Sequence, residues 1–191
     1  MATQPLSNTA EEKLYNIAFW LSIFTIIYNF IEGIIATVLG FEDETLALFG
    51  FGLDSFIEMI SGMGIVYMIM RIRRNPESER SEFESTALKV TGYSFYALVA
   101  GLTVSSIINI VNAHKPETTF WGVIISSISI LVMLGLIYGK IKVGTSLNSA
   151  AILADASCTK ICIYMSCILL VASGIYELTG FIYADSIGTL G

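Results

Sequence analysis

"LFGFGLDSFIEMISG", running from Leu48 to Gly62, carries no charge apart from Asp54 and Glu58, which are four residues apart. At about 100° per residue the two carboxylates lie about 40° apart on one face of a helix. A charged side chain at the centre of a bilayer costs roughly 2.5–3.5 kcal/mol on insertion scales. Two on one stripe also repel each other, which calls for protons or a cation. Either each acid is protonated and hydrogen-bonded, or the pair is a site for an ion or a proton. The i, i+4 spacing around a single ligand favours the second reading.

The rest of the chain supplies the setting. Of 191 residues, 54% are hydrophobic and only 14% charged, and the mean hydropathy is +0.74. A soluble domain of this length has no core large enough to hide so much apolar surface. The formal net charge of −6 argues against nucleic acid as a partner. Cys158, Cys162 and Cys167 are an odd number clustered in one apolar segment, which is no disulfide framework. The first ten residues are polar and the apolar run after them is too long for the core of a cleavable signal peptide.

The pattern predicts an all-α, polytopic transmembrane helix bundle: a polar N-terminal segment over residues 1–12, then one transport domain over 13–191. The spans fall near residues 15–39, 46–70, 86–111, 119–139 and 147–176, each long enough to cross a bilayer. A sixth run, 178–191, contains Asp185 and reads as only the start of a helix. Counting Lys and Arg, the loop after run two ("RIRRNPESER", with Arg71, Arg73, Arg74 and Arg80) and the loop after run four (Lys140, Lys142) are cytoplasmic. The N-terminus is then cytoplasmic too, in a multi-pass protein of the plasma (inner) membrane. A faint repeat aligns Thr45–Phe56 with Ser146–Ser157, setting Asp54 against Asp155 and making runs two and five equivalent helices, as in many transporters.

Run five carries the complement to the acidic pair. "ADASCTKICIYMS" places Asp155, Cys158 and Cys162 at i, i+3 and i+7, on one stripe about 60° wide. Thiolates and carboxylates facing each other across two helices suit a divalent metal, with sulfur favouring Zn²⁺ or Cd²⁺ over Mg²⁺. Each cysteine taken alone is equally a small packing residue, and Cys167 lies off the stripe. Glu32, with Asn29 one turn before it, either lines the cavity, carries protons, or pairs with Lys160; snorkelling is the other course open to Lys160. His114, the one histidine, sits in a loop and reads as a surface residue.

"LALFGFGLDSFIE" together with "ADASCTKIC" resembles the transmembrane part of the cation diffusion facilitators. The resemblance implies six transmembrane helices, cytoplasmic termini, a homodimer, and export of Zn²⁺ or related ions (Cd²⁺, Co²⁺, Fe²⁺, Mn²⁺) in exchange for protons. It implies a transporter rather than an enzyme, with the metal as cargo and no cofactor. The family's site is two side chains on the second helix and two on the fifth, each pair at i and i+4. Those positions are Asp54 and Glu58, with Glu where Asp is usual, and Cys158 and Cys162 where His and Asp are common. Asp155 is then a fifth ligand or a cytoplasmic gate. The family's usual cytoplasmic C-terminal domain has no counterpart in this sequence, which reads as a short, divergent member. Two rival readings are a membrane thiol-redox protein using Cys158 and Cys162, and a regulatory membrane protein that binds metal without moving it.

Overall fold

The computed structural model describes residues 8–42, 45–74 and 120–179 continuously, and separate positions between 85 and 107, all of them helical. Four long helices carry the architecture: α1 (Asn8–Glu42), α2 (Leu46–Arg74), α3 (Phe120–Ser146) and α4 (Ala150–Thr179). All four are long and apolar enough to cross a membrane. The predicted sixth run beyond residue 179, the loops holding His114 and Arg80, and Asp185 lie outside the described residues. Of the predicted third span, the positions described are helical.

The helices pair as two antiparallel hairpins, α1 with α2 and α3 with α4; α2 then packs on α4, and α1 on α3. The two turns share one hydrogen-bond pattern. Thr45 N donates to Gly40 O (2.8 Å) and Phe49 N to Thr45 O (3.0 Å); Ser149 N donates to Gly144 O (3.0 Å) and Leu153 N to Ser149 O (3.1 Å). Asn148 at the second turn has φ 47°, the left-handed conformation that ends a helix and that Asn tolerates. The sequence places residues 147–149 inside the fifth run; they are instead this turn.

Three helix ends differ from the hydropathy expectation by four residues or more. The first helix begins at Asn8, within the segment read as a polar tail. The second continues through Arg71, Arg73 and Arg74, which occupy its last turn. Run four does not stop at Gly139: α3 continues to Ser146, so Lys140 is a helix residue and not a loop residue. Hydropathy marks where a helix leaves the oil, not where its backbone hydrogen bonding ends.

The interior is more polar than the surface. Trp20, Phe24, Ile27, Phe41, Leu131, Tyr138, Tyr164 and Val171 are exposed, while Thr25, Asn29, Ser55, Ser126, Ser129, Thr159 and Ser166 are fully buried. That inversion suits a bundle solvated by lipid, in which small and hydroxyl residues mediate helix contact. Small residues bring α1 and α2 together. A Cβ at Gly52 would stand 2.6 Å from the backbone nitrogen of Thr37. Gly52→Ala is therefore expected to push α1 off α2 and cost about 1–3 kcal/mol, read as a lowered thermal unfolding midpoint in detergent. An unchanged midpoint would show that the hairpin is looser than described.

Two apolar clusters cap the bundle interior. One joins Tyr15, Ala18, Ile65, Met68, Ile69, Val143 and Ile152. The other joins Ala36, Leu48, Phe51, Ile125 and Leu169. On α2 the residues between Phe51 and Ile65 include Asp54, Glu58 and Ser61. On α4 those between Ile152 and Leu169 include Asp155, Cys158, Thr159 and Cys162. The apolar clusters thus bracket one polar layer.

Candidate metal-ion site

Helix geometry sets the depth of the polar layer. Asp54 and Glu58 are the ninth and thirteenth residues of α2, and Cys158 and Cys162 the ninth and thirteenth of α4. Each pair therefore starts about 12 Å from its helix N-terminus, and the two helices run antiparallel. The matching turns equate Thr45 with Ser149, and hence Asp54 with Cys158 and Glu58 with Cys162. This register is three residues away from the sequence alignment, which set Asp54 against Asp155. Few positions match in that alignment, whereas the turns fix the helix starts by hydrogen bonds.

All five candidate ligands are buried: Asp54, Asp155, Glu58, Cys158 and Cys162 are each 4% exposed or less. Across the α2–α4 interface Cys162 Sγ donates to Asp54 Oδ2 (2.8 Å) and Ser61 Oγ to Asp155 Oδ1 (2.7 Å). Thr159 Oγ1 donates to Glu58 Oε1 (2.5 Å). This ladder sets Cys158 level with Glu58. The other oxygen, Glu58 Oε2, is buried and without a hydrogen-bond partner.

The residue that the sequence reading missed is Lys140. It is 2% exposed and reaches from α3 into the layer. Its Nζ lies 3.2 Å from Glu58 Oε1 and 3.0 Å from Asp155 Oδ2, and donates to Thr159 Oγ1 at 2.7 Å. A signal for it does exist in the sequence. Ser126, Ser129, Met133, Leu136 and Lys140 recur at alternating spacings of three and four, and all are buried, the pattern of an inward stripe. Lys142, two residues on, is exposed.

Glu32 forms a separate polar contact between α1 and α2. Its Oε1 accepts from Tyr28 OH (2.8 Å) and its Oε2 from Ser55 Oγ (3.0 Å). Glu32 is therefore held by hydroxyls rather than by Lys160, which is exposed; the pairing considered for these two residues is not what forms. Asn29 is fully buried, donating Nδ2 to Thr25 O (2.9 Å), with Oδ1 unpartnered. Cys158, Cys162 and Cys167 are all free thiols, the last exposed. Among the described residues no three His, Cys, Asp or Glu side chains converge closely enough to enclose a metal ion. In this arrangement Lys140 and the hydroxyls of Ser61 and Thr159 take up three of the carboxylate oxygens.

Lipid-facing apolar helices around a buried layer of carboxylates and thiols define an integral membrane protein. The family model for the cation efflux transmembrane domain matches residues 17–191. The chain belongs to that family, the cation diffusion facilitators, whose members transport metal cations. No individual characterised protein matches the chain.

Proposed function

We propose that this protein exchanges a Zn²⁺-like divalent ion for protons across its membrane, holding the ion between α2 and α4. The observation that carries the reading is the buried layer in which Asp54, Glu58, Cys158 and Cys162 occupy equivalent positions on two antiparallel helices. Such a layer, closed by apolar side chains on both sides, is what alternating access requires of a midplane site. Either cluster can then part without the other, so the site opens to one side at a time.

Sulfur and oxygen together favour Zn²⁺ or Cd²⁺. Binding needs deprotonated ligands, so an arriving ion expels protons, and returning protons release the ion. Cys162 already shares its proton with Asp54. Glu32, through Ser55, is the acid nearest to Asp54 on the α1 side and is assigned to proton passage. Asp155, engaged by Lys140 and Ser61, supports the site rather than ligating the metal.

The orientation follows from charge. The bundle end formed by the start of α1 and the ends of α2 and α3 carries Lys13, Arg71, Arg73, Arg74 and Lys142. The opposite ends of the four helices carry Glu42 and Glu177 and no Lys or Arg among the described residues. Basic residues remain cytoplasmic, which puts the N-terminus inside. The assembly is assigned as a homodimer, as is usual in the family.

The test is transport by the purified protein in liposomes. Cys162→Ser replaces a soft ligand by a hard one, so Cd²⁺ uptake is expected to fall more than Mn²⁺ uptake. Equal loss for both ions would remove Cys162 from the ligand set. The thiol-redox alternative meets a geometric obstacle, since sulfurs at i and i+4 of one helix are poorly placed for a disulfide. Protection of both cysteines from alkylation by Cd²⁺, with no disulfide formed on oxidation, separates the two readings.

A further inference from the structure

We infer that Lys140 is a tethered counter-cation that dictates which carboxylate oxygens a metal ion can use, making it a specificity-determining residue of the site; the inference rests on the metal-site reading above. A buried ammonium must have all its protons accepted. Lys140 meets that requirement with three partners: Glu58 Oε1 at 3.2 Å, Asp155 Oδ2 at 3.0 Å and Thr159 Oγ1 at 2.7 Å.

The consequence is a division of the carboxylates. Asp155 has both oxygens engaged, Oδ2 by Lys140 and Oδ1 by Ser61 (2.7 Å). Glu58 has Oε1 engaged by Lys140 and Thr159, while Oε2 is buried and unpartnered. Of these two acids, the oxygen left for an ion therefore belongs to Glu58, one helical turn along α2 from Asp54 and its partner Cys162. Three carboxylates and one ammonium sum formally to −2 before either thiol gives up its proton, so the layer attracts a divalent ion with the lysine still in place. An ion that seats here need not displace Lys140, and Lys140 keeps Asp155 from joining its coordination shell.

Removal of that charge predicts a gain, not a loss. Without the ammonium the cluster is formally −3 and Asp155 is released toward the ion, so a cation binds more tightly. The measurement is Cd²⁺ titration of the purified full chain in detergent, followed by the ultraviolet cadmium–thiolate charge-transfer band. Half-saturation in Lys140→Met and in Lys140→Gln is expected to fall by about tenfold or more. Gln retains hydrogen-bond donors for Glu58 and Asp155, so it carries the measurement if the Met variant does not fold. In the Lys140→Met, Asp155→Asn double variant the formal charge is again −2, and the gain is expected to disappear. A folded Lys140→Gln protein with unchanged or weaker Cd²⁺ binding overturns the inference, as does a double variant that keeps the gain. A wild-type protein with no such band overturns the metal site itself. A band that ignores Lys140 overturns the inference alone.

Discussion

Replacing Asp54 and Glu58 together by alanine is expected to abolish divalent-ion uptake while leaving a folded protein. The two carboxylates are the only acids of α2, and they sit between apolar clusters that keep bulk water away. A divalent ion entering that layer without them would face the full desolvation penalty of a buried charge. Zn²⁺ and Cd²⁺ uptake into liposomes is expected to fall more than about 100-fold, beyond the loss typical when outer-shell partners of a metal site are removed. The fold survives because Lys140 keeps Asp155 and Thr159 when Glu58 is gone. Cys162 loses only one acceptor. An unfolding midpoint close to wild type, measured on the same preparation, separates lost transport from lost structure. Uptake left intact by this double substitution would remove α2 from the ion path.

The second large effect concerns stability. Lys140→Met leaves Asp155 and Glu58 facing each other across the α2–α4 contact without their shared cation. Breaking a buried ion pair from one side costs about 3–5 kcal/mol, because the remaining charge stays buried and uncompensated. The variant is expected to unfold at clearly lower denaturant or temperature in detergent than the wild type. Adding Asp155→Asn removes one of the stranded charges and is expected to recover much of the loss. If Lys140→Met were as stable as wild type, the ammonium would not be the internal partner of these acids. Tighter Cd²⁺ binding and weaker folding in the same variant are two sides of one cause: charge that Lys140 satisfies in the wild type becomes available to a metal.

How far the sequence discloses this arrangement depends on which physical signal each residue leaves. The four continuous helices are legible because stretches of about twenty predominantly apolar residues have no alternative in a chain of this composition. Asp54 and Glu58 are legible because charge inside such a run is expensive. The stripe of Asp155, Cys158 and Cys162 follows from helical spacing, and the burial of all three agrees with it. Lys140 escapes because it stands at the edge of its apolar run, beside Lys142, where two basic residues read as a loop. Only the three-dimensional register of α3 distinguishes the inward lysine from the outward one. The hydroxyl partners of the site, Ser61 and Thr159, leave no sequence signal at all, since Ser and Thr are common in membrane helices and bond their own backbone. The register of the two equivalent helices is likewise invisible until the turns at Thr45 and Ser149 fix where each helix starts.

These assignments also explain a division of labour in the polar layer. Among the described residues, Glu32 is served by hydroxyls from Tyr28 and Ser55, Asp155 by Lys140 and Ser61, and Asp54 by a thiol. Of the acids, Asp54 has the partner most readily given up to a soft metal, because a thiol loses its proton when it ligates. On the reading proposed above, the metal takes the Asp54–Cys162 end of the ladder, while the ammonium holds the Asp155–Ser61 end.

The most direct measurement is flux through the wild-type protein, reconstituted in liposomes carrying a fluorescent metal indicator and a pH dye. With an imposed proton gradient, Zn²⁺ and Cd²⁺ are predicted to move against the proton flow, and reversing the gradient reverses the metal. Metal movement no faster than in protein-free liposomes, under either gradient, would contradict the account.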